Sequence, residues 1–228
     1  MLTQTAMRTG SFNKSTAQPR NRPAARSAGA DAIALMGTVM PFARNAEIYG
    51  ENEPADYLYK VLSGTVRTYK VLVDGRRQIG AFHLPGDVFG FEAGDEHTFS
   101  AEAISDCRIA VIKRSALMSL AARDNDVAHQ MWAFTAHELQ RVQAHMLLLI
   151  KSAQERVATF LLEMADRVSV DGAVDLAMSR QDIADYLGLT IETVSRTLTQ
   201  LEKTATIEVS TSRHIVLRNH SALARLNS

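Results

Sequence analysis

One cysteine, five prolines and 6% aromatic residues leave this 228-residue chain little with which to build a covalently stapled or Pro-stiffened fold. The lone thiol, Cys107, excludes an intrachain disulfide and a four-thiolate metal or iron–sulfur site. Net charge is missing as well: 25 Lys and Arg oppose 25 Asp and Glu. In residues 151–228 nine basic residues face ten acidic ones. That balance argues against a non-specific nucleic-acid binder, which needs a broad basic surface. No apolar run approaches the length of a membrane span, and the N-terminus lacks the apolar core of a signal peptide, so a cytoplasmic location is expected. The length leaves room for one or two domains with an ample core.

Residues 1–30 carry Arg8, Lys14, Arg20, Arg22 and Arg26, no acid, and many Ser, Thr, Ala and Pro. Such a segment buries too little apolar area to offset its ordering entropy, and a disordered basic tail is expected. An Arg-rich, acid-poor start also resembles an organelle transit peptide.

The most informative stretch is SRQDIADYLGLTIETVSRTLTQLE, residues 179–202. Ser179 with Asp182 three residues on forms a capping box, and Ile183, Ala184 and Leu187 share one face of the helix that follows. Gly188 can turn left-handed, Leu189 anchors the turn and Thr190 can cap a second helix. On that helix Ile191, Val194, Leu198 and Leu201 form the expected buried stripe. Glu192, Ser195, Arg196 and Thr199 fall on another face, so the same core cannot cover them. Two capped helices hinged at glycine read as a helix-turn-helix, whose second helix reads the DNA major groove with its N-terminal residues. The guanidinium of Arg196 can fork onto guanine, Glu192 can accept from cytosine N4, and Ser195 can serve either base. A bare solvated Glu192–Arg196 helix pair is the competing reading, and it leaves the caps and the glycine turn unexplained.

Residues 207–210 and 214–218 alternate like strands around Thr211-Ser212-Arg213, which makes the motif winged and puts Arg213 at the tip as a phosphate contact. Ser179, Arg180, Thr190 and Thr193, at the two helix starts, complete the expected phosphate set, and Lys203 or Arg218 could add to the local basic patch.

In the N-terminal half, Ser63-Gly64, Asp74-Gly75 and Pro85-Gly86-Asp87 punctuate strand-like runs at 57–62, 66–71 and 79–84, the pattern of a jelly roll or small β barrel. Residues 123–153 hold no Gly or Pro. Ala128, Trp132, Thr135, Leu139, Val142, Met146, Leu149 and Ala153 recur there at alternating spacings of four and three, as in a coiled coil. The helix could pack on its own domain. At ~45 Å for 30 residues it outreaches a small barrel, which favours a homodimer interface centred on Trp132, Leu139, Val142, Met146 and Leu149. The expected organisation is α+β: a basic tail (1–30), a β-roll effector-like domain (31–122), a dimerisation helix (123–152) and a winged helix-turn-helix (153–228).

This order of elements resembles the Crp/Fnr family of bacterial transcription regulators, most specifically through MSRQDIADYLGLTIETVSR (178–196), with Glu192, Ser195 and Arg196 as its E-x-x-S-R set. FHLPGDVFGFE (82–92) is similar to the effector-domain loop of the Fnr and FixK branches. The resemblance implies double-stranded DNA with a TTGAT-type half-site and its inverted repeat, RNA polymerase and a second copy of the chain as partners, and no catalysis. Cyclic-nucleotide-binding members carry an Arg-Ser or Arg-Thr pair where this chain has Thr98-Phe99-Ser100-Ala101, and Fnr holds an iron–sulfur cluster on several cysteines that the tail lacks. Absence of both sensors implies the FixK-like branch, a cofactor-free activator of genes for low-oxygen respiration, denitrification or nitrogen fixation. A glycine common before the first wing strand is replaced around Ala205.

Three residues invite other chemistry. His83 could ligate haem, Cys107 could sense redox state and Trp132 could meet a cofactor; a structural histidine, a half-buried core residue and an interface residue are the simpler readings. A cupin-type metalloenzyme would need clustered ligands, and only His83, Glu92 and His97 lie near one another in sequence, so no metal is expected. A ligand- or haem-gated regulator of the same family stays open as the alternative.

Overall fold

The computed structural model describes residues 37–169 and 172–226, so the expected basic tail lies outside the described residues. Eight strands form the first unit: β1 (Thr38–Phe42), β2 (Glu47–Tyr49), β3 (Tyr57–Ser63), β4 (Val66–Val71), β5 (Arg77–His83), β6 (Val88–Phe89), β7 (Ser100–Ala103) and β8 (Cys107–Lys113). They make two four-stranded antiparallel sheets, ordered β1-β8-β3-β6 and β2-β7-β4-β5. Tyr49, Tyr59, Val61, Val66, Phe89, Ala103 and Ile109 are buried between the two sheets, and each large apolar side chain sealed there contributes roughly 1.5–3 kcal/mol. This is the jelly roll that the turn signals imply.

Helix α1 (Arg114–Ala121), which the strand-and-seam pattern did not signal, leads to the long helix α2 (Asn125–Leu148). The expected helix through 152 is thus shorter, and Ala153 does not end its seam but opens α3 (Ala153–Val168). Ser152 and Glu155 form a reciprocal capping box there. A helix start with both orphan amides satisfied outcompetes continuation of α2. Leu149 is the C-cap of α2 and half-buried.

Strand β9 (Ala173–Asp175) precedes α4 (Arg180–Leu187) and α5 (Ile191–Lys203), followed by β10 (Ile207–Val209), β11 (His214–Leu217) and α6 (His220–Leu226). The three strands pair as β10-β11-β9, so the two-stranded wing of the sequence gains a third strand. The largest core runs across the boundary between the units: Ile79, Phe82 and Leu84 from the roll pack with Phe160, Leu161, Met164, Tyr186 and Leu187. Strand β5, the edge strand of its sheet, thus supplies apolar residues to the core that joins the two units.

Candidate nucleic-acid interface

The helix pair forms for the local reasons visible in its sequence. The Ser179 hydroxyl accepts from the Asp182 amide, and the Asp182 carboxylate accepts in return from the Ser179 amide. Gly188 ends α4 at φ 61°, ψ 40°, the left-handed region open to glycine at little cost. Arg156 of α3 donates to the Leu187 carbonyl at 2.9 Å, capping the end of α4. Thr190 then caps α5 by accepting from the Thr193 amide.

Val194, Leu198 and Leu201 are buried as expected. Ile191 is not: it is 36% exposed. As the first residue of α5 it lies beyond the core, at the rim of a cleft of about 920 Å³ that it shares with Leu72, Arg77, Gly188 and Glu192. Thr197 is buried in its stead. On the opposite face Glu192, Ser195, Arg196 and Thr199 are all exposed. The Glu192 carboxyl is held below its usual range by the amide at the helix start and by the Thr190 hydroxyl, which makes it an ionised acceptor at neutral pH. Two acceptor oxygens and a cationic fork thus stand one helical turn apart on a bare surface, the donor and acceptor types that major-groove edges require.

The phosphate-contact candidates differ in what their polar atoms already do. Ser179 has both its amide and its hydroxyl engaged with Asp182, the latter at 2.7 Å, so neither donor is free. Arg180 is half-buried, and its Nη1 is sealed without a hydrogen-bond partner; burial draws its pKa down. The hydroxyls of Thr190 and Thr193 lie 3.0 Å apart at an exposed helix start. Arg213 sits in the wing turn, its amide donating to Thr211 Oγ1 at 3.3 Å. Arg218 pairs with Glu208 across the wing strands, both side chains exposed.

The roll presents a contrasting site. A cavity of about 240 Å³ is lined by Tyr49, Thr68, His83, Glu92, Phe99 and Glu138, among others. That is below the 300–1,000 Å³ usual for small-molecule pockets. Thr98 donates its amide (3.0 Å) and its hydroxyl to the Glu92 carboxylate, so these two donors are already turned to an acid. His83 is 2% exposed, 3.2 Å from Thr68 Oγ1 and stacked on Phe89; burial depresses its pKa well below the usual imidazole value. His97 stacks on Tyr49 with ring centroids 3.6 Å apart. Among the described residues no group of three or more His, Cys, Asp or Glu is arranged to hold a metal ion. Cys107 is 3% exposed and donates to the Thr65 and Ser105 carbonyls; burial pushes its thiol pKa up. It is thus more deeply buried than its alternating strand context suggests.

On α2, Trp132 (74% exposed), Leu139, Val142 and Met146 all face solvent in the single chain. Among the described residues no helix is long and apolar enough to cross a membrane.

Sequence reasoning missed a set of contacts that bind α4 to the roll. Arg67 of β4 bridges Asp182 and Glu102, and Arg77 of β5 bridges Asp182 and Asp185. Burial alone would raise the Asp182 pKa, but the Ser179 cap and the two guanidinium groups hold it below the carboxylate norm. Nothing local announces these pairs, since Arg67 and Asp182 are 115 residues apart.

Comparison with known proteins agrees with this geometry. Residues 39–124 match the cyclic nucleotide-binding domain and residues 155–226 the Crp-like helix-turn-helix domain. The chain is 54% identical over 205 residues to the nitrogen fixation regulation protein FixK of Azorhizobium caulinodans, covering 87% of this chain and 83% of that one. It is 40% identical over 193 residues to the FixK of Rhizobium meliloti, covering 84% and 87%. The structure of FixK2 from Bradyrhizobium japonicum superposes with a TM-score of 0.82 at 55% identity, covering 84% of this chain and 98% of that one. A β-roll joined by a long helix to a winged helix-turn-helix, together with identity to these regulators over most of their length, makes the chain a member of the Crp/Fnr family of DNA-binding transcription regulators, of the FixK type and without enzymatic activity.

Proposed function

We propose that the protein is a homodimeric transcription activator that binds a TTGAT-type palindrome and controls genes of low-oxygen respiration, denitrification or nitrogen fixation. The observation that carries this reading is the exposed Glu192, Ser195 and Arg196 set at the capped start of α5. Arg196 and Glu192 share one G·C pair in each half-site, guanine on one strand and its cytosine on the other, while Ser195 serves a neighbouring base. Arg180, Thr190, Thr193 and Arg213 engage phosphates, and Ser179 shapes the helix start they flank. Trp132, Leu139, Val142, Met146 and Leu149 meet their symmetry mates, giving the two-fold that a palindrome requires. The FixK names of the relatives support the gene class, and RNA polymerase is the further partner of an activator. A location in the cytoplasm, where the template is, follows from this role.

Binding needs no added effector in this reading, because the acid at Glu92 and the small cavity disfavour an anionic nucleotide. A gated regulator is the second reading: the unpartnered, buried Nδ1 of His83 lines that cavity. Calorimetric titration with cyclic nucleotides and a visible spectrum for haem separate the two.

Binding-site selection with wild type, Arg196→Ala and Arg213→Ala tests the recognition assignment. Arg196→Ala is expected to weaken specific binding about 10-fold to over 100-fold per half-site and to flatten preference at the G·C pair, since a good base contact discriminates by ~1–3 kcal/mol. Arg213→Ala weakens all sequences nearly equally and lowers the salt slope. Full discrimination retained by Arg196→Ala refutes the assignment.

A further inference from the structure

We infer that Arg67 and Arg77 are positioning residues that lock the helix-turn-helix to the β-roll in its DNA-reading pose without an effector, by gripping Asp182 and Asp185 of α4. This inference deepens the reading above and rests on it. Its physical basis is a division of labour on one carboxylate. Asp182 gives Oδ2 to the Ser179 amide and hydroxyl at 2.9 and 2.7 Å, and Oδ1 to the guanidinium groups of Arg67 and Arg77. The group that starts α4 is therefore also the group that fastens it to the roll. Asp182 is 5% exposed, and the Arg67 side chain 13%. A pair so shielded has little solvent screening, and loss of one partner strands the other charge.

The grip extends on both sides. Arg77 Nε reaches Asp185 Oδ2 at 2.8 Å, one turn along α4, and Arg67 Nη2 is steadied by Glu102 at 2.9 Å. Both guanidinium groups also lie over the Tyr69 ring, at 5.6 and 5.9 Å from its centroid. At the other end of β5, Phe82 O accepts from Arg141 of α2 and Arg167 of α3, and Arg167 pairs with Asp87. Strand β5 is thus tied to three helices, and at the second tie the Phe82 ring is set against Phe160 and Tyr186.

The direction of the effect follows from where these bonds land. Those to the helix-turn-helix all fall on α4; Glu192, Ser195 and Arg196 of α5 stay exposed. Docking therefore fixes the orientation of the reading face without covering it. Freed from the roll, the same face would sample many orientations, and only a fraction would match both half-sites at once, which lowers the apparent affinity by that fraction.

The test uses the full chain. Operator affinity is measured by gel shift, and hydrogen exchange is followed at the α4 amides, for wild type and Arg67→Ala/Arg77→Ala. Expected are an operator affinity at least about 10-fold weaker and faster exchange in α4, with sedimentation and far-ultraviolet circular dichroism unchanged. Unchanged affinity and exchange overturn the inference; tighter binding also overturns it, because the contact would then restrain the domain. If the double variant does not fold, Asp185→Asn leaves the Ser179 cap intact and gives a smaller loss in the same direction, and no loss there overturns it equally. Failure of wild type to bind a TTGAT-type operator sinks the functional reading instead, and exchange in α4 then decides the locking role alone.

Discussion

Helices α2 and α5 carry apolar stripes of similar kind and meet opposite fates. On α5, Val194, Leu198 and Leu201 are at most 3% exposed. On α2, Trp132, Leu139, Val142 and Met146 are all more than half exposed, and Leu147 and Ile150 beside them likewise. The stripe on α5 finds its partners inside the chain, in α3, α4 and the wing. The stripe on α2 finds none there, and a contiguous apolar seam left bare is what a second copy of the chain would cover. One periodicity thus serves a core in one region and stays bare in the single chain in the other. The opposite side of α2 sharpens the contrast, since Arg141 and His145 turn inward onto Phe82 O and the Tyr186 ring.

The strongest way to break the comparison is a charge in the α2 seam. Leu139→Asp places a carboxylate against its own symmetry mate, so sedimentation should show monomer and operator binding should be lost. A DNA-competent dimer of this variant would remove α2 from the interface. Next in size, Leu198→Ala opens a cavity behind the reading face and should destabilise the chain by ~2–5 kcal/mol in urea unfolding, whereas Leu139→Ala should cost the separated chain little. Equal costs would mean that the two stripes are buried alike.

The cavity beneath α2 allows a pH test. Burial lowers the His83 pKa, so the folded state takes up its proton later than the unfolded state does. The stability associated with neutral His83 is complete above pH ~6.5 and falls as the pH drops below it, by up to about 1.4 kcal/mol per pH unit. His83→Gln should flatten that slope in denaturant titrations between pH 6.5 and 5; an unaltered slope assigns it to other groups.

The smallest effect lies just after α5. Ala205 adopts φ 53°, a left-handed conformation that costs a residue with a Cβ about 1–2 kcal/mol. Ala205→Gly relieves this and partly offsets the gain through a freer unfolded chain, for a net stabilisation of up to about 1 kcal/mol in thermal unfolding. A loss of stability would show that the turn is unstrained. The replacement of glycine at this point was visible in the sequence; its backbone cost is a property of the fold.

Legibility followed the range of the forces involved. The Ser179 cap, the Gly188 turn and the Thr190 cap were readable because each acts within four residues, and the roll was readable from its turn dipeptides. The Ser152–Glu155 box was equally local, yet the apolar seam through Ala153 masked it. Ile191, expected in the buried stripe, lies at its rim because periodicity assigns a face without saying where along the helix the core ends.

By itself the sequence determined the two helices of the reader, the chemistry of their outward face, the seam of α2 and the succession of elements, since caps, turns and periodicities are decided by neighbours in the chain. Only the tertiary structure decided that Asp182 serves both a helix cap and two arginines of the roll, that the edge strand β5 packs into the core joining the two units, and that the stripe of α2 stays bare while that of α5 is covered. Those outcomes depend on which groups, up to 115 residues apart, share a space from which water is excluded, and no local pattern encodes that proximity.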